Sequence, residues 1–176
     1  GDNMKKIKVL HVGMSYGYGG IESFIESYLN EIDSNKVQID ILNVFECAQK
    51  EEFYKRLNDK TQIHNLPNYR TKPFQFIREL KKLNKKEKYD VFHYNMNSAV
   101  YLIPLLAAKL CGIKVIISHS HNSANDKGFL KTILHNLNRH FIPLLANVYF
   151  ACSDKAGEWF YNKKITKSDK YYVIKN

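Results

Sequence analysis

Short runs rich in β-branched and aromatic residues alternate with longer segments of helical periodicity along the whole 176-residue sequence. No other feature narrows the fold as much. Strands separated by helix-length connections pair in parallel, through βαβ crossovers, and build an open sheet with helices on both faces. Strands are predicted at 7–12, 37–45, 61–66, 90–95, 113–120, 148–153 and 171–175. Helices are predicted at 21–32, 50–58, 74–88, 98–111, 128–141 and 154–162, the last with Ser153 as its N-cap. The triplet Val115-Ile116-Ile117 is apolar on both of its faces, as a sheet covered on both sides requires. The reading is a single Rossmann-like, doubly wound α/β domain over residues 5–176, with a mostly parallel sheet of about seven strands. Gly1-Asp2-Asn3 ahead of Met4 read as a cloning remnant, so residues 1–4 stand outside it.

In such sheets ligands bind beyond the carboxyl ends of the strands, near the point where strand order reverses. The first strand leads into Gly13, Gly17, Gly19 and Gly20, followed by a helical stripe of Ile21, Phe24, Ile25, Tyr28, Leu29 and Ile32. A dinucleotide fingerprint started at Gly17 would need a third glycine where Glu22 stands, which counts against a nicotinamide or flavin site. No Lys-Ser or Lys-Thr pair follows the glycines, so a Walker A loop is absent. A glycine turn opening a helix still presents backbone N–H groups to an anion. It can also be only a tight turn, with Glu22 complementing the helix dipole.

The fourth strand ends in HYNMNS (93–98) and the fifth in SHSHNSAND (118–126). Unpaired polar groups at this density are costly in a sheet interior, which predicts that they face a cleft. His119 and His121, two residues apart, share a side if the strand continues that far. A zinc site would need a third ligand from elsewhere, and no metal site is assigned. Cys47, Cys111 and Cys152 are widely spaced in apolar settings and read as buried, reduced thiols. Glu79 and Glu87 have the spacing of a paired-glutamate motif but lie in a lysine-rich helix, and no D-x-D or G-x-S-x-G motif occurs.

Lys+Arg number 27 against 17 Asp+Glu, a formal charge of +10. Such a surplus attracts phosphate in nucleic acid, an anionic membrane or a phosphorylated ligand. Lys81, Lys82, Lys85 and Lys86 concentrate it on one helix, and Lys127, Lys131 and Arg139 add to it on the helix after the fifth strand. The longest apolar run, residues 99–108, is half of what a membrane-spanning helix needs. The expectation is a cytoplasmic protein, peripheral at the inner face of the plasma membrane if the lysines dock on anionic lipid.

Taken together, KVLHV, YGGIESFIESYLNEI, YDVFHYN, IKVIISHSHNS, VYFACSDKAGEWF and YYVIKN resemble the N-terminal half of a bacterial family 4 glycosyltransferase. The likeness is to the GT-B type found in capsular and exopolysaccharide gene clusters. It implies an acceptor-side domain facing a donor-binding C-terminal domain that this chain lacks, so the chain reads as a fragment, inactive alone. It further implies a UDP- or GDP-linked sugar donor, a lipid-linked or saccharide acceptor, retention of anomeric configuration and no metal or cofactor. By position, Gly19 and Gly20 match the loop that approaches the donor phosphates and acceptor, and Glu22 the acidic residue after it. His121, followed by Asn122, matches the histidine that contacts the donor sugar near the transferring centre. His119 is its neighbour, and Ser153 matches a serine near the cleft. Tyr16 and Tyr18 lie outside the family motif and read as platforms for a sugar ring. The alternatives are a basic nucleic-acid- or anion-binding module and a nicotinamide-dependent oxidoreductase domain; no nucleic-acid motif supports the first.

Overall fold

The computed structural model describes residues 5–45, 48–57, 61–124 and 128–175. Residues 1–4, Cys47, Asn58, Asn125, Asp126, Lys127 and Asn176, which enter the readings above, lie outside the described residues. In chain order the elements are β1 (Ile7–Val12), α1 (Gly20–Glu31), β2 (Val37–Asn43), α2 (Ala48–Arg56) and β3 (Ile63–Asn65). Then come α3 (Pro73–Glu87), β4 (Val91–Met96), α4 (Ile103–Leu110), β5 (Val115–Ser120) and α5 (Phe129–Asn138). The last are α6 (Ile142–Leu145), β6 (Val148–Ala151), α7 (Asp154–Phe160), α8 (Lys163–Thr166) and β7 (Tyr171–Val173).

The strands form one seven-stranded sheet of order β3-β2-β1-β4-β5-β6-β7, every neighbouring pair parallel. Order reverses between β1 and β4, where the crossover rule places a ligand crevice. Alternation along the strands divides the core. Leu10, Val12, Phe92, Tyr94 and Ile116 pack with Phe76 and Leu80 of α3, Leu105 of α4 and Phe160 of α7. On the other face Ile39 and Ile41 pack with Ile21, Phe24, Ile25 and Leu29 of α1 and Phe53 of α2.

Several boundaries differ from the sequence expectation, each for a local reason. The helix expected at 98–111 starts only at Ile103, because Pro104 sits in its first turn, where a missing N–H costs nothing, and a proline restrains the backbone before it. The helix expected over 128–141 ends at Asn138, and a separate short helix, α6, follows at Ile142–Leu145 with Pro143 in its first turn. β2, β6 and β7 stop two residues short of expectation. The helix α8 is an addition, capped by Asn162, whose Oδ1 accepts from Ile165 N–H at 3.0 Å. Ser153 caps α7 as expected, accepting from Ala156 N–H at 3.1 Å. Cys111 and Cys152 are free and half-buried.

Candidate functional site

β1 ends at Gly13, whose φ of +91° is a left-handed conformation. A Cβ there would lie 2.0 Å from the Asn95 carbonyl oxygen, so the chain leaves β1 against the end of β4 only with glycine. Gly19 and Gly20 are different. Gly19 is extended (φ −155°), and a Cβ on Gly20 would meet nothing within 4 Å. Space beside Gly20 in the first turn of α1 is therefore open, whereas Gly19 lies against Glu22 and Ser15.

Glu22 is fully buried, and its carboxylate serves the loop itself. It accepts from Ser15 N–H at 2.7 Å, from the Ser15 hydroxyl at 2.9 Å and from Gly19 N–H at 3.0 Å. Gly19 has no side chain to cap α1, and Glu22 at the third helical position supplies the reciprocal half of a capping box. The structure thus gives Glu22 a positioning task in the glycine loop.

The polar cluster expected to face a cleft is mostly interior. His93 (5% exposed), Asn95 (1%), and Ser118, His119 and Ser120 (each 0%) are buried, together with His11 (1%). They are tolerated because register makes them partners: His11 lies opposite His93, Asn95 opposite His119, and His119 opposite Phe150. The His11 and His93 rings stack at 4.3 Å, His93 Nε2 meets His119 Nδ1 at 2.9 Å, and the His119 and His121 rings lie 3.9 Å apart. Phe24 of α1 closes the row, 5.1 Å from His119 and 5.4 Å from His121.

Burial keeps the row neutral. Desolvation lowers His11 to about 3, with His121 adding repulsion, and lowers His119 to about 2. His93 is pushed well below the ordinary range by the same desolvation and by its three histidine neighbours. His121 falls to about 4 through burial, opposed by the attraction of Glu22.

Asn95 orients the outermost member. Its Nδ2 donates to the Val12 carbonyl at 3.0 Å, and its Oδ1 lies 2.8 Å from His121 Nε2. His121 Nε2 therefore carries the ring proton, and Nδ1 keeps a lone pair with no hydrogen-bond partner. Asn122 turns the chain after β5, its Oδ1 accepting from Ser123 N–H at 2.8 Å.

Beside this row, at the carboxyl ends of β1 and β4, lies a cavity of about 240 Å³. Its lining includes Gly13, Tyr16, Arg70, Asn95, Tyr101 and Lys131 and, among the described residues, no carboxylate. His121 reaches it through Asn95. Gly19, Gly20 and Ser153 sit on the same rim of the sheet without lining it. Tyr16 does line it and is 66% exposed, whereas Tyr18 turns away, donating to Glu26 at 2.8 Å and lying under the Arg56 guanidinium. Arg70 and Tyr101 were not singled out from sequence. The carboxyl-end rule applied to the PNYRTKP loop after β3 would have found Arg70.

Lys81, Lys82, Lys85 and Lys86 do not join the site. They are exposed on the last turns of α3, at the amino end of the sheet, where Lys8 at the start of β1 pairs with Glu87 at 2.7 Å. No helix among the described residues is long and apolar enough to cross a membrane, and no group of three metal-ligating side chains among them is arranged to hold an ion.

A doubly wound parallel sheet, with a polar crevice where its strand order reverses, defines a Rossmann-like α/β domain. Residues 18–176 match the profile of Glycosyltransferase Family 4, and the chain belongs to that family. It is 27% identical over 183 residues to "Putative glycosyltransferase EpsF" of Bacillus subtilis (strain 168), covering 99% of this chain and 46% of that protein. The chain thus spans about half the length of the curated relative it matches. The fold is shared with Anabaena Alr3699/HepE, crystallised with UDP and glucose: TM-score 0.66, 14% identity, 97% of this chain and 44% of that one. It is also shared with Neisseria meningitidis UDP-GlcNAc 2-epimerase bound to UDP-GlcNAc: TM-score 0.63, 15% identity, 95% and 45%.

Proposed function

We propose that this chain is the acceptor-side half of a nucleotide-sugar-dependent glycosyltransferase that builds cell-surface glycan. In this reading a second domain carries most of the UDP- or GDP-linked donor, and the chain alone transfers nothing. Transfer proceeds with retention of configuration and without metal or other cofactor, as family membership leads one to expect. Family membership also favours this reading over a nucleic-acid-binding module or a nicotinamide-dependent domain.

The observation that carries it is the state of His121. Its imidazole is neutral, its tautomer is set by Asn95, and its Nδ1 is buried without a hydrogen-bond partner just beyond the carboxyl end of β5. A sugar hydroxyl can donate to that nitrogen once the residues covering it shift, and the open space at Gly20 leaves room for a ligand beside the first turn of α1. His121 then orients the donor sugar rather than shuttling a proton, since it stays neutral down to about pH 4. Asn122 and His119 hold its turn and its ring, Glu22 holds the loop, and Tyr16 is one of the rings that line the cavity. Attachment to an anionic membrane face, where the lysines of α3 would dock, completes the proposal.

The test is donor turnover by the full-length protein with UDP- and GDP-sugars. Replacing His121 by Ala is expected to lower kcat/KM roughly 100-fold, the scale of losing one preorganised hydrogen bond in an active site. Undiminished transfer by that variant would remove His121 from the site.

A further inference from the structure

α5 is fastened to the domain by its polar side. Only His135 of this helix is buried, while Leu130 (68%), Ile133 (45%) and Leu137 (56%) form an exposed apolar stripe that Phe141 and Leu144 continue at α6. The His135 ring lies flat on Trp159 of α7, 4.0 Å between centroids and 11° from parallel, with Phe160 edge-on at 5.4 Å. Its Nδ1 accepts from Ala99 N–H at 3.0 Å. Next to it, Asn138 Nδ2 donates to the Val100 carbonyl at 3.1 Å, and Arg139 Nη2 donates to the Tyr161 carbonyl at 2.7 Å.

Ala99 and Val100 belong to the six residues, 97–102, that join β4 to α4 with neither helix nor strand of their own. The backbone groups of such a connection enter no ladder, so its shape depends on side chains from elsewhere. Three consecutive residues are held in this way: Ala99 by His135, Val100 by Asn138, and Tyr101 by Tyr94, whose hydroxyl donates to the Tyr101 carbonyl at 3.2 Å. The same connection supplies Asn97, Ser98, Val100 and Tyr101 to the wall of the cavity at the ends of β1 and β4. The Tyr101 ring in turn seats Arg70, whose guanidinium lies 4.8 Å over it and 5.2 Å over Phe45. Arg70 and Lys131 line the cavity, and among the described residues no carboxylate lines it with them.

We propose that His135 is a positioning residue for the candidate site: by accepting from Ala99 it fixes the 97–101 wall, and through Tyr101 it sets the Arg70 guanidinium to receive an anionic ligand. The assignment rests on the reading of this crevice as the ligand site. His135 itself does not line the cavity. Its task requires a neutral ring. Burial lowers His135 to about 4, opposed by the Trp159 backbone and reinforced by the Arg139 charge, so Nδ1 keeps its lone pair at neutral pH. α7 faces the ring with Trp159 and Phe160, and the connection faces it with Ala99, all uncharged.

Two substitutions separate positioning from plain packing. His135→Phe keeps a ring against Trp159 and leaves the Ala99 N–H buried without an acceptor. His135→Asn gives up the stack but places an amide oxygen where Nδ1 stood. The probe is inorganic phosphate, titrated into the chain by calorimetry at neutral pH, with circular dichroism verifying the fold of each variant. Trp159 is the one tryptophan of the sequence, so its emission reports whether α5 stays seated. His135→Phe should keep the emission maximum, speed exchange of the Ala99 amide and weaken phosphate about fivefold or more, the scale of one buried hydrogen bond. His135→Asn should shift the emission maximum yet keep the Ala99 amide protected and phosphate within about twofold of the wild type. The reverse ranking, with Asn weaker than Phe, would give His135 a packing role alone and overturn the proposal. Wild-type phosphate affinity in His135→Phe overturns it as well, and so does a wild-type chain that binds phosphate no tighter than Arg70→Gln does. Should His135→Asn not fold, the Phe variant decides alone, by its phosphate affinity and Ala99 exchange together. A full-length protein that turns over sugar nucleotides, with phosphate affinity unchanged in His135→Phe, overturns this role and leaves the proposed function standing. Absence of any turnover, with phosphate lost in His135→Phe and restored in His135→Asn, does the reverse.

Discussion

Asn95 connects the two halves of the site: its carboxamide fixes His121, and its position in β4 puts it on the cavity wall. Around it the histidine row makes a prediction about acid. The unfolded chain takes up histidine protons near pH 6.5, while the folded chain keeps His11, His119 and His121 neutral to about 3, 2 and 4. These folded values are depressed, so stability is complete above pH 6.5 and falls as the pH drops toward 4. Each histidine contributes about 1.4 kcal/mol per pH unit across that window. Hydrogen-bonded and ion-paired Glu87 and Asp90 sit below the usual carboxylate range and stay charged throughout it. Urea midpoints at pH 7.5 and 5.5 should differ by several protons' worth of stability, and His119→Gln should reduce the slope by about one. A flat profile would mean that the row is hydrated. The glycines supply a second contrast at this scale. Gly13→Ala, strained in φ and overlapping the Asn95 carbonyl, should cost about 3 kcal/mol or more, whereas Gly20→Ala should change stability by less than about 1 kcal/mol. Thermal denaturation reads both. Residue types at the strand ends were legible in sequence, but whether the histidines face solvent was not. Their burial depends on register between strands far apart in the chain, which no local pattern encodes.

At the scale of elements, strand and helix alternation carried most of the fold, because each crossover must bury a stripe on the sheet. The differences cluster at Pro104, where proline in a first turn starts α4 later than hydrophobic periodicity suggests, and ahead of Pro143, where α5 ends early and α6 begins anew. The four-residue α8 shows the other limit, since an element so short carries no period. α1 shows how an element depends on one buried group. Its N-terminus has no side-chain cap from Gly19, and Glu22 alone receives the Ser15 and Gly19 amides. Glu22→Ala leaves those donors unsatisfied and should destabilise the protein by about 2 kcal/mol. A midpoint within about 0.3 kcal/mol of the wild type would show that solvent reaches the loop and that Glu22 does not hold it. The outward face of α5 was the least legible feature. Its apolar spacing is that of a core helix, and only the assembled neighbours show that His135, stacked on Trp159 at 4.0 Å, is the residue it buries.

For the molecule as a whole, two of the basic regions that make up the +10 surplus stand at opposite ends of the sheet. Arg70 and Lys131 stand at the carboxyl ends of the strands, beside the cavity. The α3 lysines stand at the amino ends, where Lys5 reaches Asp90 just before β4. A six-residue strand spans about 20 Å, more than twice the screening length of about 8 Å at physiological salt. The two regions should therefore act independently. Reversing Lys81, Lys82, Lys85 and Lys86 to Glu should abolish binding to phosphatidylglycerol vesicles, each well-placed lysine contributing about 1 kcal/mol. The same variant should keep the wild-type affinity for inorganic phosphate at 150 mM salt, because Arg70 and Lys131 stand at the other end of the sheet, about 20 Å away. Arg70→Gln should show the opposite pattern, with vesicle binding intact and phosphate weakened. Loss of phosphate affinity in the lysine variant would mean that one diffuse field, and not the cavity, attracts the ligand. Unchanged vesicle binding would take the α3 lysines out of membrane attachment and leave the apolar stripe on α5–α6 as the surface that meets lipid.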